Sequence, residues 1–166
     1  MSLRKRSVII CDIDNVLSHD AWRRRLIIPV ELSVHRHDWA RYHAYHLASA
    51  MDEANFIPEM ASDMRSRYEI YFFTAMPEAY RRVRASWFIK NGKRPSPDHI
   101  YMRANDDTRS SVDVKRDMFR RLETKVDRCH ISAAYDDRLD ILEMYATEFG
   151  IKTIHRSLHE QGHYDN

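Results

Sequence analysis

Residues 7–16 have the sequence S-V-I-I-C-D-I-D-N-V, a short apolar run that ends abruptly in acidic residues. An unbroken, β-branched apolar run of this length is typical of a strand that is buried on both faces of a sheet. Asp12 and Asp14 follow at once, and residues two apart on an extended chain point to the same side. The segment therefore predicts a buried strand that presents two carboxylates together at its carboxyl end.

Four further apolar runs predict strands, at residues 69–74, 98–102, 130–135 and 151–155. Helix-length segments with apolar residues at helical spacing alternate with these runs, at 77–91, 112–125 and 137–149. Alternating strands and helices indicate βαβ units, a parallel sheet and right-handed crossovers. The predicted fold class is therefore α/β, a Rossmann-like parallel sheet of about five strands flanked by helices.

The alternation is interrupted between the first two strands, because residues 18–68 are more than one crossover helix requires. Residues 57–68, with Pro58 near the start, predict that crossover helix. The remainder, about 18–56, includes a helical stretch at 40–48. It predicts a small helical cap over the carboxyl edge of the sheet, where open α/β folds bind ligands. We expect residues 1–166 to form a single domain that carries this cap.

The composition of the chain limits the functional classes to which the protein can belong. The 166 residues include 27 Lys and Arg and 25 Asp and Glu, a net charge of +2. This balance argues against a dedicated nucleic-acid coat, although a local basic patch stays possible. No signal peptide is apparent, and no segment approaches the ~20 apolar residues of a spanning helix. We expect a cytoplasmic protein with no membrane association, infer no stable protein partner, and expect Cys11 and Cys129 to be buried free thiols.

A second acidic pair, Asp136-Asp137, ends the predicted strand at 130–135. Two acidic strand ends in one parallel sheet converge on the same edge, where crowded carboxylates need a compensating cation. Mg²⁺ prefers such oxygen ligands. Asp137 alone also fits a helix N-cap.

Two more residues could complete a phosphate site. Thr74 ends a predicted strand just before a helix, so its hydroxyl and the amides that follow could hold a phosphate or cap that helix. Lys115 lies in the first turn of the helix predicted at 112–125. A cation there opposes the helix dipole and invites a compensating anion, although a lone lysine at such a position is usually only solvated.

In this order the residues resemble a known family. The motifs Asp12-x-Asp14-Asn15-Val16, Thr74, Lys115 and Asp136-Asp137 look like the four ordered motifs of the haloacid dehalogenase (HAD) superfamily of aspartyl phosphatases. The resemblance spans about residues 8–150. Within the superfamily, the segments around Lys115 and Arg138 resemble the 3′-phosphatase domain of phage polynucleotide kinase. The insertion is similar to that of the 5′(3′)-deoxyribonucleotidases.

The resemblance implies a role for each matching residue. Asp12 would be the nucleophile, Asp14 the acid and base, and Thr74 and Lys115 the ligands of the phosphoryl oxygens. The expected ligands of a Mg²⁺ cofactor are Asp12, Asp14 through its backbone carbonyl, Asp136, and Asp137 directly or through water. The residues expected to contact the substrate are Asn15, Ala75, Arg81, Arg82 and Arg138. Asn15 and Val16 depart from the family, which commonly has Gly and Thr there.

The predicted function is a Mg²⁺-dependent phosphomonoesterase that acts on a nucleotide. The substrate is either a free (deoxy)nucleoside monophosphate or a 3′-phosphate at a nucleic-acid end, and the residues leave both open. The alternatives are a phosphatase of a small non-nucleotide ester, a non-catalytic nucleic-acid-binding module, and a nuclease or phosphotransferase. The aromatic residues of the insertion predict either a base-recognising lid or the packed interior of the cap; they are Trp22, Trp39, Tyr42 and Tyr45.

Overall fold

The computed structural model describes residues 6–26, 39–64 and 67–159. Its strands are β1 (Ser7–Cys11), β2 (Ser18–His19), β3 (Glu53–Ala54), β4 (Tyr68–Pro77), β5 (Ile100–Arg103), β6 (Ile131–Asp136) and β7 (Thr153–His155). Its α-helices are α1 (Ala21–Arg24), α2 (Trp39–Ala48), α3 (Arg81–Lys90), α4 (Ser111–Glu123) and α5 (Leu139–Phe149).

Five of these strands form one sheet in the order β5-β4-β1-β6-β7, and each neighbouring pair is parallel. β1 lies at the centre, where Ile9 pairs with Ile70 of β4 and with Ala133 of β6. The carboxyl ends of all five strands therefore meet at one edge. The predicted α/β class, a Rossmann-like parallel sheet flanked by helices, is confirmed.

Apolar side chains cover both faces of the sheet. On one face, Ile10 belongs to a buried cluster with Val114 of α4 and Ile141 of α5. On the other face, Ile9 belongs to a cluster with Trp87 of α3. Burying each side chain of this size contributes about 1.5–3 kcal/mol. The central strand is thus held from both sides, which fixes the position of the residues that follow it.

The insertion after β1 contains a small antiparallel pair and a helix. Ser18 of β2 pairs with Ala54 of β3, and α2 confirms the helix predicted at 40–48. The indole N–H of Trp87 donates to the carbonyl oxygen of Asp52 at 2.8 Å, which joins the insertion to α3. Residues 27–38 of the predicted cap lie outside the described residues, so its extent stays a prediction.

The helix predicted at 57–68 is wrong in the described part of that segment. Two 3₁₀ turns occur instead, Pro58–Met60 and Ser62–Met64. Ala61 between them has an extended backbone, with ψ 151, which breaks the helical path. A single turn already buries Ile57 and Met60 against the sheet, so a longer helix is not needed.

Cys129 is also not where the sequence predicted it. Cys11 is buried in β1 as expected, whereas Cys129 is exposed. The 3₁₀ turn Arg128–His130 places Cys129 before β6 begins, outside the sheet. Cys129 precedes the strand predicted at 130–135, so the expectation that it is buried extended the apolar environment of that strand one residue too far.

Candidate active site

Three carboxylates converge at the carboxyl edge of the sheet. Asp12 follows β1, and its backbone N–H donates to the carbonyl oxygen of Tyr135 at 3.0 Å, which ties it to β6. Asp136 ends β6, and Asp137 follows it. Each of Asp12, Asp136 and Asp137 offers a carboxylate oxygen, and these oxygens lie within 4.8 Å of one another.

A single buried lysine lies between two of these carboxylates. The Nζ atom of Lys115 is 3.0 Å from Oδ1 of Asp12 and 2.6 Å from Oδ2 of Asp136. Burial lowers the pKa of Lys115, but the charges of Asp12 and Asp136 outweigh burial and hold the pKa well above its ordinary value. Lys115 is therefore charged, and through it α4 supplies a cation that contacts both Asp12 and Asp136.

The donor set fits a hard divalent cation. One lysine leaves the three carboxylates under-compensated, and burial raises the pKa of the Asp12 carboxyl well above its ordinary value despite Lys115. Burial also raises the pKa of Asp137. Crowded oxygen ligands of this kind match the preference of Mg²⁺.

The structure directs the Asp14 carboxylate to different partners. Arg84 donates through Nη2 to Oδ1 of Asp14 at 2.6 Å, and Arg23 donates through Nη2 to the same oxygen. The hydroxyl of Thr74 donates to Oδ2 at 3.2 Å. Burial would raise the pKa of Asp14, but Arg84 and Arg23 outweigh burial and hold the pKa well below its ordinary value. Asp14 therefore does not join the three carboxylates through its side chain.

Arg23 and Arg84 are buried partners of Asp14, a contact that the sequence did not predict for either. Both are fully buried, and Arg23 also pairs with the buried Asp52 at 2.8 Å. A signal for Arg84 existed: it lies three and four residues before Trp87 and Phe88 on the buried face of α3. A buried arginine needs a charged partner, and Asp14 and Asp52 provide it.

The residues predicted to contact substrate lie in several places. The carbonyl oxygen of Ala75 accepts from Nε of Arg103 at 2.9 Å. Arg81 donates to the carbonyl oxygen of Ile100 at 2.9 Å, at the start of β5, and Arg82 is exposed. Of the three arginines in this part of α3, it is Arg84 that reaches Asp14.

Two further predicted residues lie beside the acidic group. Asn15 donates to Oδ2 of Asp137 at 2.8 Å. The backbone N–H of Arg138 donates to Oδ1 of Asp136 at 3.1 Å, while its half-exposed guanidinium pairs with Asp140 at 2.6 Å. The structure thus brings Asn15 and Arg138 to the site, where Asn15 and the Arg138 backbone contact the carboxylates themselves.

The aromatic residues of the insertion mostly pack within it. The hydroxyl of Tyr45 donates to Asp20 at 3.0 Å, and its ring lies 4.2 Å from the guanidinium carbon of Arg23. The indole N–H of Trp22 donates to Asp52 at 3.1 Å. The side chain of Trp39 lies outside the described residues. These contacts favour the packed interior of a cap for Tyr45, whereas Trp22, although bonded to Asp52, is nearly half exposed.

His46 gives this region a dependence on pH. The rings of Tyr42, Tyr45 and Tyr80 surround it, and its buried nitrogens have no hydrogen-bond partner among the described residues. Burial lowers the pKa of His46 to about 4 from an ordinary 6.5; Asp14 opposes this shift, and the charges of Arg23, Arg84 and His43 add to it. The folded state therefore resists protonation that the unfolded chain accepts.

We expect acidification from pH 6.5 to 4 to lower the free energy of unfolding, with His46 contributing up to about 3 kcal/mol of the loss. The sign follows because a depressed histidine pKa makes the unfolded state bind more protons in this window. Urea unfolding of His46→Phe at a series of pH values should show a flatter profile, whereas the control His130→Phe, in the 3₁₀ turn before β6, should keep the slope. Equal slopes in wild type and His46→Phe would contradict this role.

No protein-family model matches the chain, and no curated protein matches it in sequence. Solved structures do match. A chain of the Pnkp1/Rnl/Hen1 RNA repair complex is 19% identical with a TM-score of 0.64, covering 90% of this chain and 42% of that one. This protein therefore spans less than half the length of that chain. Among the described residues, no helix is long and apolar enough to cross a membrane.

Two bacterial hydrolases match more fully. The class C acid phosphatase from Bacillus anthracis, with tungstate bound, is 13% identical with a TM-score of 0.63, and the match covers 93% of this chain and 67% of that one. A haloacid dehalogenase-like hydrolase from Streptococcus pneumoniae is 16% identical with a TM-score of 0.57, covering 93% and 85%. The chain has the fold of the haloacid dehalogenase-like phosphatases, as the resemblance of its motifs predicted.

Proposed function

We propose that the protein is a Mg²⁺-dependent phosphomonoesterase that forms an aspartyl-phosphate on Asp12. The observation that carries this proposal is the convergence of Asp12, Asp136 and Asp137, with the charged Lys115 in contact with the first two, on a fold shared with a known phosphatase. Asp12, Asp136 and Asp137 would hold the cation. When bound, Mg²⁺ would neutralise part of the negative charge of the phosphate ester.

Asp12 would attack phosphorus with one carboxylate oxygen, and the bond from phosphorus to the leaving oxygen would break. Water would then attack the same phosphorus, breaking its bond to Asp12 and releasing inorganic phosphate. Dividing hydrolysis in this way replaces one difficult step by two easier ones. Lys115 favours the ionised form of Asp12 and can stabilise charge on the phosphoryl oxygens, and the hydroxyl of Thr74 is a second candidate donor.

Asp14 would handle the protons of both steps. Its carboxylate side chain is 24% exposed, whereas the arginines that hold it are sealed from solvent. Because Arg23 and Arg84 keep it ionised, Asp14 is in the state that accepts a proton from the attacking water. To protonate the leaving oxygen in the first step, Asp14 would first have to take a proton from solvent, which its 24% exposure allows.

We further propose a nucleotide substrate, either a 3′-phosphate at a nucleic-acid end or a free (deoxy)nucleoside monophosphate. The RNA repair complex among the matching structures supports the first of these. Arg24 and Arg138 are half-exposed, and each acts electrostatically on Asp137. Cations in that position suit the additional phosphates of a strand. In this proposal the insertion serves as a cap over the site.

Phosphate release from esters should require Mg²⁺, fall to background in EDTA and return when Mg²⁺ is restored. The panel comprises one oligonucleotide with a 3′-phosphate, the same oligonucleotide with a 5′-phosphate, nucleoside 3′- and 5′-monophosphates, and glycerol phosphate. Full activity in EDTA would contradict the metal requirement. Turnover of glycerol phosphate alone would favour a small non-nucleotide ester.

A salt titration separates the two nucleotide substrates. Activity on a nucleic-acid end should fall steeply between about 50 and 200 mM salt. A protein that binds the strand releases salt cations from its phosphates, and this release becomes less favourable as the salt concentration rises. Activity on a mononucleotide should change little over the same range. A free mononucleotide is the substrate if the 3′-phosphate oligonucleotide is not hydrolysed even at low salt.

A further inference from the structure

Asn15 has a backbone that favours glycine. Its φ is 60, the one positive φ of a non-glycine residue among the described residues, and its side chain is buried. A residue with a side chain in this left-handed region carries strain of about 1 kcal/mol or more, although asparagine tolerates it better than most. Glycine would meet the requirement of the backbone without strain. The presence of an asparagine at this position must therefore be explained by the contacts of its side chain.

The side chain of Asn15 uses both of its amide hydrogens and its oxygen in hydrogen bonds. Its Nδ2 donates to Oδ2 of Asp137 at 2.8 Å and to Oγ of Ser157 at 2.9 Å. Its Oδ1 accepts from the backbone N–H of His159 at 3.0 Å. The backbone carbonyl oxygen of Asn15 also accepts a hydrogen bond, from the backbone N–H of Leu158 at 2.9 Å. A buried amide with both hydrogens and its oxygen satisfied is held in one orientation.

The segment 155–159, which begins at the last residue of β7, also binds the acidic end of β6. The backbone N–H of Arg156 donates to the carbonyl oxygen of Asp136 at 3.0 Å, and Nε2 of His155 lies 3.0 Å from the carbonyl oxygen of Asp137. The Nε of Arg156 donates to the carbonyl oxygen of Val16 at 2.9 Å. Asn15 and this segment therefore join the loop that carries Asp12 to the strand end that carries Asp136 and Asp137.

We propose that Asn15, held by the segment 155–159, positions Asp137 for a divalent cation. This inference rests on the proposed function, because it concerns the same cation site. Asn15 fixes one oxygen of the Asp137 carboxylate, which fixes the direction of the other. Partners that orient metal-binding carboxylates in this way typically change metal affinity by about 10- to 100-fold when they are removed.

The test is the dissociation constant for Mg²⁺, measured by calorimetry without substrate. Asn15→Gly removes the amide and keeps a residue suited to the backbone, so we expect Mg²⁺ to bind about tenfold more weakly than to wild type. Ser157→Ala leaves the Asn15–Asp137 bond but frees one of its anchors, so it should weaken binding less, in the same direction. Asn91→Gly, at the end of α3, is the matched control and should leave the constant unchanged.

Turnover adds a readout that a purely structural role would not move. In Asn15→Gly, kcat should recover towards the wild-type value as Mg²⁺ is raised about tenfold, with KM for the ester unchanged at saturating Mg²⁺. Should Asn15→Gly fail to fold, the Mg²⁺ affinity of Ser157→Ala decides. Wild-type affinity in a folded Asn15→Gly would overturn the positioning role while leaving the phosphatase proposal intact. A wild-type protein that binds no Mg²⁺ would overturn the proposed function itself.

Discussion

Replacing Asp12 with asparagine is expected to lower kcat by at least about 10³-fold, because the amide cannot attack phosphorus and the covalent step is lost. The fold should survive. Asn has nearly the size of Asp, and the backbone N–H of residue 12 still reaches the carbonyl oxygen of Tyr135. Since burial raises the pKa of the Asp12 carboxyl, the neutral side chain also suits this site. The melting temperature in EDTA should therefore equal or exceed that of wild type.

Covalent trapping tests the same step directly. Wild-type protein quenched in acid during turnover of a ³²P-labelled ester should retain label on the polypeptide, and Asp12→Asn should retain none. The exposed Asp98 gives a control, since Asp98→Asn should keep both turnover and labelling. Undiminished turnover by Asp12→Asn would dispose of the aspartyl-phosphate mechanism.

The central strand was predictable because its signal is local. An unbroken β-branched run followed by acidic residues has few interpretations, and β1 matches it at the buried residues 8–11. The orientation of the Asp14 side chain was not predictable from such a local signal. β1 ends at Cys11, so the alternation that places residues two apart on one side does not extend to Asp12 and Asp14. Their carboxylates consequently have different partners.

The contacts of Asp14 depend on residues distant in sequence. Arg23 and Asp52 come from the insertion and Arg84 from α3, and a run of arginines normally indicates a solvated helix face. Only the tertiary structure buries Arg23 and Arg84 together against the carboxylate of Asp14. The hydrogen bonds of the Asn15 amide were not predictable for the same reason, because Ser157 and His159 are distant from it in sequence.

Lys115 illustrates how a family pattern adds to residue-level reasoning. Helical spacing places Val114, Met118 and Leu122 in the core, but it does not show that Lys115 is buried with them. Its place in the ordered motifs was the stronger indication. The structure then supplies the physical reason for burying an ammonium group, because Asp12 and Asp136 lie within 3.0 Å of it.

Replacing Lys115 with methionine is expected to lower the free energy of unfolding in EDTA by about 3–5 kcal/mol, since it leaves buried carboxylates without their cation. Mg²⁺ should restore part of this loss, because a divalent ion that binds only the folded state stabilises it by mass action and meets less competing positive charge in the variant. Urea unfolding in EDTA and in Mg²⁺ measures both effects. The exposed Lys152 supplies the control, since Lys152→Met should change neither value appreciably.

The two arms of this experiment separate charge balance from packing. Methionine fills most of the volume of lysine, so a loss that Mg²⁺ repairs must come from the carboxylates rather than from a cavity. Phosphatase activity should stay at least about 100-fold below wild type even in Mg²⁺, because no other side chain replaces the ammonium beside the phosphoryl oxygens. A stability loss equal in EDTA and in Mg²⁺ would show that Lys115 does not share the acidic group with a metal. A variant as stable as wild type in EDTA would show that Lys115 does not balance those carboxylates at all.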